Sequence, residues 1–311
     1  MKNAMKNRIR SAAGALLVLL LFGTVPAHAA IQGLSGTTFD LTAAEGTISP
    51  IDGNGIYMWG YGTNGNMQMP GPTLILTEGD SITINLTNTL PVPVSMVFPG
   101  QTGVTATGGI PGLLTREAAP AGGTVTYTFT AAAPGTYMYH SGTRPDLQIE
   151  MGLIGAIIIR PLGPVPATFI GRAYGSDDTA FNREYLFLLQ EIEPRVHELA
   201  KQGLFDEIDY TVPRPTHQGI VNWMITGRDG PDTLSPDFTP SLPNQPYGSL
   251  ARMHPGEVTL MRIIGGGRFP HPFHAHGNQH NQIARDGRML ESAPGQGPDM
   301  QESVFTSNVN P

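Results

Sequence analysis

Three of the nine histidines in this 311-residue sequence fall within six positions, in the run His271-Pro272-Phe273-His274-Ala275-His276-Gly277. Neutral imidazole binds copper, zinc and iron, and copper heads the divalent affinity order. Residues two apart on a strand share a face, so His274 and His276 are expected to point at one site. Pro272 is expected to break the local ladder and let His271 aim elsewhere. The plainer alternative is a His-rich surface loop. His280 reads as a surface residue near the site. His140 closes the run Thr136-Tyr137-Met138-Tyr139-His140, and spacing alone leaves it open between a ligand and a structural residue. His197, His217 and His254 stand alone and read as non-ligands.

Other chemistries find no support. Gly265-Gly266-Gly267 is not followed by the Lys-Ser/Thr of a phosphate loop, and there is no Gly-x-Ser-x-Gly elbow. The chain has no cysteine, which excludes thiol catalysis.

The elements that must carry the histidines read as strands. Charged residues make up only 14% of the chain, while Gly (39) and Pro (28) are abundant. That is the balance of a turn-rich all-β protein. After Gly122-Gly123, Val125, Tyr127 and Phe129 alternate with Thr124, Thr126, Thr128 and Thr130, the period-two signature of a half-buried strand. Ala156-Ile157-Ile158-Ile159 predicts a strand buried on both faces. Pro161, Pro164 and Pro166 then place a domain boundary near residue 163. Glu78-Gly79-Asp80 and Pro255-Gly256-Glu257 each precede an apolar-polar strand, a weak internal repeat. Pro194 to Gly203 predicts one helix, with Val196, Leu199 and Ala200 on its apolar face and His197 solvated.

The first 29 residues read as a secretory signal. Lys2, Lys6, Arg8 and Arg10 precede an apolar run from Ala12 to Phe22, and Ala27-His28-Ala29 is a small-x-small cleavage pattern. The apolar run is too short to span a bilayer comfortably, and no later segment approaches that length. The expected location is periplasmic or secreted, with cleavage after Ala29. Removal takes away four positive charges and no negative ones, so the net charge falls from −7 to −11. Nucleic acid, which needs a basic footprint, is an unsuitable partner for such a surface.

Taken together, these segments resemble multicopper oxidases. Met69-Pro70-Gly71-Pro72-Thr73-Leu74, Glu78-Gly79-Asp80 and Asn85-Leu86-Thr87-Asn88 are similar to the family's opening signature, with Met58-Trp59-Gly60-Tyr61 leading into it. Gly135 to Ser141 resembles the segment ending in its second His-x-His pair, and Met151 to Ile159 the strand closing its first cupredoxin domain. His271 to Gly277 is similar to its His-Pro-x-His-x-His-Gly motif. The resemblance implies tandem cupredoxin-like Greek-key β-sandwiches, residues 30–163 and 164–311, the second incomplete. It implies copper as cofactor, with a small-molecule or metal-ion electron donor and dioxygen as partners. His271 would be a type 1 copper ligand. His274, His276 and, from the facing domain, His140 would serve a three-copper cluster.

The sequence departs from the pattern in three places. Val97-Phe98-Pro99-Gly100 stands where the first His-x-His-Gly is expected, and Gly142 where the second pair's last His is expected. The His-Cys-His motif is absent, and a blue copper centre needs its thiolate. These departures lead to the expectation of a divergent chain that is a fragment of a longer oxidase, with a homo-oligomer as one way to share sites between chains. The alternatives are a non-catalytic copper-binding or copper-handling protein, an inactive fragment, or a relative of two-domain copper nitrite reductases.

Overall fold

The computed structural model describes residues 30–50, 53–210 and 221–311. The expected signal segment and His217 lie outside them. Among the described residues no helix is long and apolar enough to cross a membrane.

The first half is a β-sandwich. Its strands are β1 (Leu34–Ser35), β2 (Thr38–Ile48), β3 (Ile56–Gly62), β4 (Gly71–Thr77), β5 (Ser81–Asn88), β6 (Thr105–Gly108), β7 (Ile110–Pro111), β8 (Arg116–Glu117), β9 (Gly123–Thr130), β10 (Gly135–His140) and β11 (Ile154–Arg160). One sheet runs β3-β2-β5-β9-β6 and the other β1-β4-β11-β10, while β7 and β8 form a small hairpin. β9 alternates as its sequence requires, with Val125, Tyr127 and Phe129 buried. These side chains meet Trp59, Tyr61, Leu74, Phe98, Tyr139 and Ile157 in the core between the sheets. Fully burying one large apolar side chain contributes roughly 1.5–3 kcal/mol. The buried phenols keep their polar ends paired: Tyr139 Oη donates to Pro72 O at 2.7 Å and Tyr61 Oη to Ser95 O at 2.6 Å.

β11 is apolar from Ile154 to Ile159 because it serves two cores. Ile157 and Ile159 face the sandwich. Ile154 and Ala156 instead pack on Leu186, Leu188 and Ile264 of the second half. Those residues come from β14 (Arg183–Ile192) and β16 (Thr259–Gly265), after the short pair β12 (Gly171–Arg172) and β13 (Ala180–Phe181). With β15 (Asn222–Ile225) they form the three-stranded sheet β15-β14-β16. The chain then makes β17 (His271–His274), β18 (His280–Gln282), β19 (Ala284–Arg285), β20 (Arg288–Met289), β21 (Glu302–Val304) and β22 (Thr306–Val309), paired β17-β22, β18-β21 and β19-β20.

The two segments read as a repeat adopt the same turn. Asp80 N donates to Thr77 O and Glu257 N to His254 O, each at 3.1 Å, across Gly79 (φ +89°) and Gly256 (φ +86°). Each turn leads to a strand lying parallel to an earlier one, β5 beside β2 and β16 beside β14. Helix α1 (Pro145–Gln148) precedes β11, and α2 (Pro194–Lys201) begins on its proline, as the sequence indicates. His197 is not solvated, however: it is 1% exposed. Its Nδ1 bonds Tyr57 O at 2.7 Å, and its Nε2 lies 3.6 Å from the buried Glu150 carboxylate. A pattern of apolar residues could not register a helix face that rests partly on a buried charge.

Buried ion pairs join the halves. Glu184 of β14 receives both Arg160 Nη1 and Nη2 of β11 at 2.6 Å and Arg262 Nε of β16 at 2.7 Å. Arg262 Nη1 also reaches Thr136 Oγ1 of β10 at 2.8 Å. Burial works against the Glu184 carboxylate, but Arg262 and Arg160 outweigh it and hold its pKa below the ordinary 4.5. Because the folded value is the lower one, the stabilisation is fully present above the unfolded pKa and is lost as pH falls through the folded value. Glu184→Ala is expected to cost about 3–5 kcal/mol in urea unfolding at pH 7, since the buried Arg262 and the part-buried Arg160 lose their partner. The cost should shrink in a pH series taken below 4.5; an equal cost at every pH would contradict the pairing.

Candidate metal site

The His-rich run starts from a tight turn anchored on β14. Gly266 N donates to Leu189 O at 2.9 Å. A side chain at Gly266 would meet Ile154 Cδ1 at 2.8 Å and Leu188 Cδ2 at 3.1 Å, so the turn lies close against both side chains. The buried carboxylate of Glu191 then caps the turn: Oε1 accepts from Arg268 N and, at 3.1 Å, from Phe269 N. Arg268 reaches across to Glu150 Oε2 at 2.8 Å, with its guanidinium 4.6 Å from the Tyr210 ring centroid. Burial opposes the charge on Glu150 as well, but His197 and Arg268 outweigh it and lower its pKa.

β17 follows, antiparallel to β22, with His271 opposite Val309 and His274 opposite Thr306. Pro272 does not interrupt the strand, contrary to the sequence reading. It lies within a two-stranded sheet, whose open edges tolerate proline. Ordinary strand alternation separates the histidines instead: His271 and Phe273 are half-buried, while Pro272 and His274 are exposed. His271 Nε2 lies 3.2 Å from Glu191 Oε2, and Trp223 meets the ring edge-on with centroids 5.5 Å apart. His274 Nδ1 bonds Phe305 O at 2.9 Å and Thr306 Oγ1 at 3.1 Å. His276 sits past the strand end, in the turn closed by Asn278 N to Ala275 O. Its ring centroid is 5.7 Å from that of His274, nearly perpendicular. These two imidazoles come together, with His276 beyond the strand rather than on its face, and both are exposed.

His140 is at the end of β10, opposite Ile154. Ile154 in turn packs beside the Gly266 turn that precedes the His-rich run. His140 Nδ1 bonds Ser141 O at 2.9 Å. Burial pushes its pKa below the ordinary histidine value, against the pull of that carbonyl. His280 is half-buried rather than a free surface residue, with Nε2 2.8 Å from Ser307 Oγ. His254 is exposed beside Glu257 and Arg183.

The donor chemistry suits imidazole-bound copper. With Nδ1–H donating to a carbonyl, His140 and His274 each present Nε2 as the lone pair. A thiolate-bound copper does not fit, for want of cysteine. A three-copper cluster does not fit either. Among the described residues, no group of three or more His, Cys, Asp or Glu side chains is gathered to hold a metal ion. His140, His271, His274 and His276 are therefore not one assembled ligand set. Of the positions where the resemblance expects further histidines, Val97 and Gly142 pack against each other and Pro99 is exposed. Val97 bonds His140 through both backbone groups, and a Cβ at Gly142 would lie 2.7 Å from Val97 Cγ1 and 3.5 Å from Leu114 Cβ.

The sequence reading missed Glu191, Arg268 and the Glu150–His197 pair. The one available signal was a carboxylate at the end of the apolar run Tyr185 to Ile192.

Comparisons with known proteins agree with the copper chemistry. Residues 42–163 match the multicopper oxidase family. Multicopper oxidase MCE of Talaromyces pinophilus is 36% identical over 140 residues, covering 44% of this chain and 22% of its own length. Copper resistance protein A of Escherichia coli is 31% identical over 194 residues, covering 62% of this chain and 28% of its own length. The chain thus spans about a quarter of the length of these relatives. The blue copper oxidase of Nitrosomonas europaea superposes with a TM-score of 0.62 at 23% identity, over 89% of this chain and 73% of that one. The copper nitrite reductase of Nitrosomonas europaea superposes with a TM-score of 0.56 at 19% identity, over 89% of this chain and 81% of that one. These likenesses bear out the cupredoxin fold, and the family's cofactor is copper.

Gly142→Ala is expected to lower stability by about 1–3 kcal/mol through overpacking. Adding Val97→Ala should recover part of that loss in denaturant titrations; strictly additive losses would show that the two positions do not share a filled volume.

Proposed function

Residues 42–163 being a multicopper oxidase domain, we propose that this chain is the copper-binding part of an exported oxidoreductase. In the full-length form, oxidation of a small-molecule or metal-ion electron donor is coupled to dioxygen reduction. The observation that carries the reading is the pair His274 and His276, with rings 5.7 Å apart at the end of the strand that resembles the family's ligand strand. Copper bound there would supply one-electron redox chemistry.

The chain's own residues define what it contributes. Phe305 O and Thr306 Oγ1 orient His274 through Nδ1. Ser141 O orients His140 through Nδ1. The packing of Ile154 against Gly266 supports a site drawing on both cupredoxin-like units, residues 30–163 and 164–311. The exposure of both rings leaves room for further ligands from a longer form or from a second copy in a homo-oligomer. Export rests on the segment 1–29, with the mature chain beginning at Ala30.

The closed volume around Val97 and Gly142 favours a second reading, copper binding or handling without turnover by this chain alone. Oxygen uptake distinguishes them. With a phenol or Cu(I) as donor, the first reading expects turnover by the full-length product; the second expects none.

Two outcomes are expected of the purified chain. Replacing His274 and His276 together with Ala should abolish tight copper binding in metal analysis after dialysis; unchanged stoichiometry would refute the site. The copper-loaded chain should lack the intense visible band of a copper–thiolate centre, and a strong blue colour would refute the imidazole-only assignment.

A further inference from the structure

The ion cluster between the halves does not balance. Arg160 and Arg262 share the single, fully buried carboxylate of Glu184. A third guanidinium, Arg172 of β12, borders the same cavity as Arg160 and Glu184. Its carboxylate partner is Asp177, at 3.0 Å. Among the described residues, these three guanidiniums thus pair with two carboxylates. Asp177 is 72% exposed, so water screens its charge. Glu78, which also approaches this region, accepts Leu162 N through Oε2 instead. The Tyr174 phenol supplies no charge, since burial pushes its pKa up to about 12. Arginine cannot shed its proton in a protein. A positive charge is therefore left over where burial already works against Arg262.

The cavity beside these groups measures about 210 Å³. Arg172 donates Nη1 to Gly175 O at 2.7 Å and Nη2 to Leu162 O at 2.9 Å. Its Nε has no hydrogen-bond partner, although the side chain is nine-tenths buried. Arg160 gives Glu184 one hydrogen from each Nη and keeps three more N–H groups. Much of the remaining wall is apolar. The Phe181 ring is buried 5.9 Å from the Arg160 guanidinium, and Val165 and Ile170 are exposed.

We propose that this cavity binds a small organic carboxylate, with its charge met by Arg172 and Arg160 and its apolar body against Phe181, Val165 and Ile170. A carboxylate matches a guanidinium in charge and shape. Glu184 borders the cavity too, but three N–H groups cover its oxygens, and two guanidiniums outweigh its charge. Inorganic phosphate would satisfy the charge and leave the apolar wall uncovered. No histidine lines the cavity, so the proposal goes beyond the copper reading and does not depend on it.

Isothermal titration calorimetry of the purified chain with benzoate, in chloride-free buffer, tests the proposal. Benzoate is expected to bind saturably at one site. Benzamide, of the same shape without the charge, should bind about 10- to 100-fold more weakly. Arg172→Lys keeps a positive charge but removes Nε, and should weaken benzoate by a similar factor. Arg172 also holds Leu162 O and Gly175 O, so that variant could fail to fold. Val165→Trp leaves those bonds in place and narrows the cavity from an exposed position; it should abolish benzoate binding. Absence of benzoate binding by the wild type overturns the proposal. So does equal affinity for benzamide, or benzoate affinity unchanged by Val165→Trp. Phosphate binding as tightly as benzoate would overturn the organic class of the ligand.

Discussion

Two guanidiniums, Arg160 and Arg262, meet one buried carboxylate, Glu184, where the two halves of the molecule join. Burying a charge is costly unless it is paired and hydrogen-bonded. The relative placement of β10, β11, β14 and β16 is therefore tied to satisfying this group. The apolar contact of Ile154 and Ala156 with Leu186, Leu188 and Ile264 is non-directional and permits sliding. The bidentate Arg160–Glu184 pair does not, because its geometry is specific. The same rule operates towards the His-rich run. Glu150 engages Arg268 and His197, and Glu191 takes the backbone of the turn before His271.

That anchoring decides what the histidines can do. Strand alternation sends His271 inward to Glu191 and Trp223, and His274 outward to β22. Among the described histidines, His274 and His276 are the two whose rings come together. Around His140, the apolar contact of Val97 with the Gly142 backbone has replaced space that ligands would need. Residues 42–163 match the multicopper oxidase family, while within them Val97 and Gly142 lie packed against each other.

The fold was legible where a single periodicity governed an element. Val125, Tyr127 and Phe129 alternate because β9 has one dry face, and Ala156 to Ile159 do not because β11 has two. The His-rich run was legible from residue type and spacing alone. The ion clusters were not, since Glu184, Glu150 and Glu191 gain their partners from positions 24 to 118 residues away. The solvated reading of His197 failed for that reason, as its burial depends on Glu150. The break read at Pro272 failed for another: the residue's effect depends on whether its strand has a neighbour on both sides.

Electron paramagnetic resonance of the Cu(II)-loaded chain tests the central claim most directly, that copper here is held by imidazole without thiolate. The account predicts an axial signal with a wide parallel hyperfine splitting and nitrogen superhyperfine structure, both lost in the His274→Ala/His276→Ala chain. A narrow parallel splitting of the blue-copper kind, or a spectrum unaffected by removing both histidines, would contradict it.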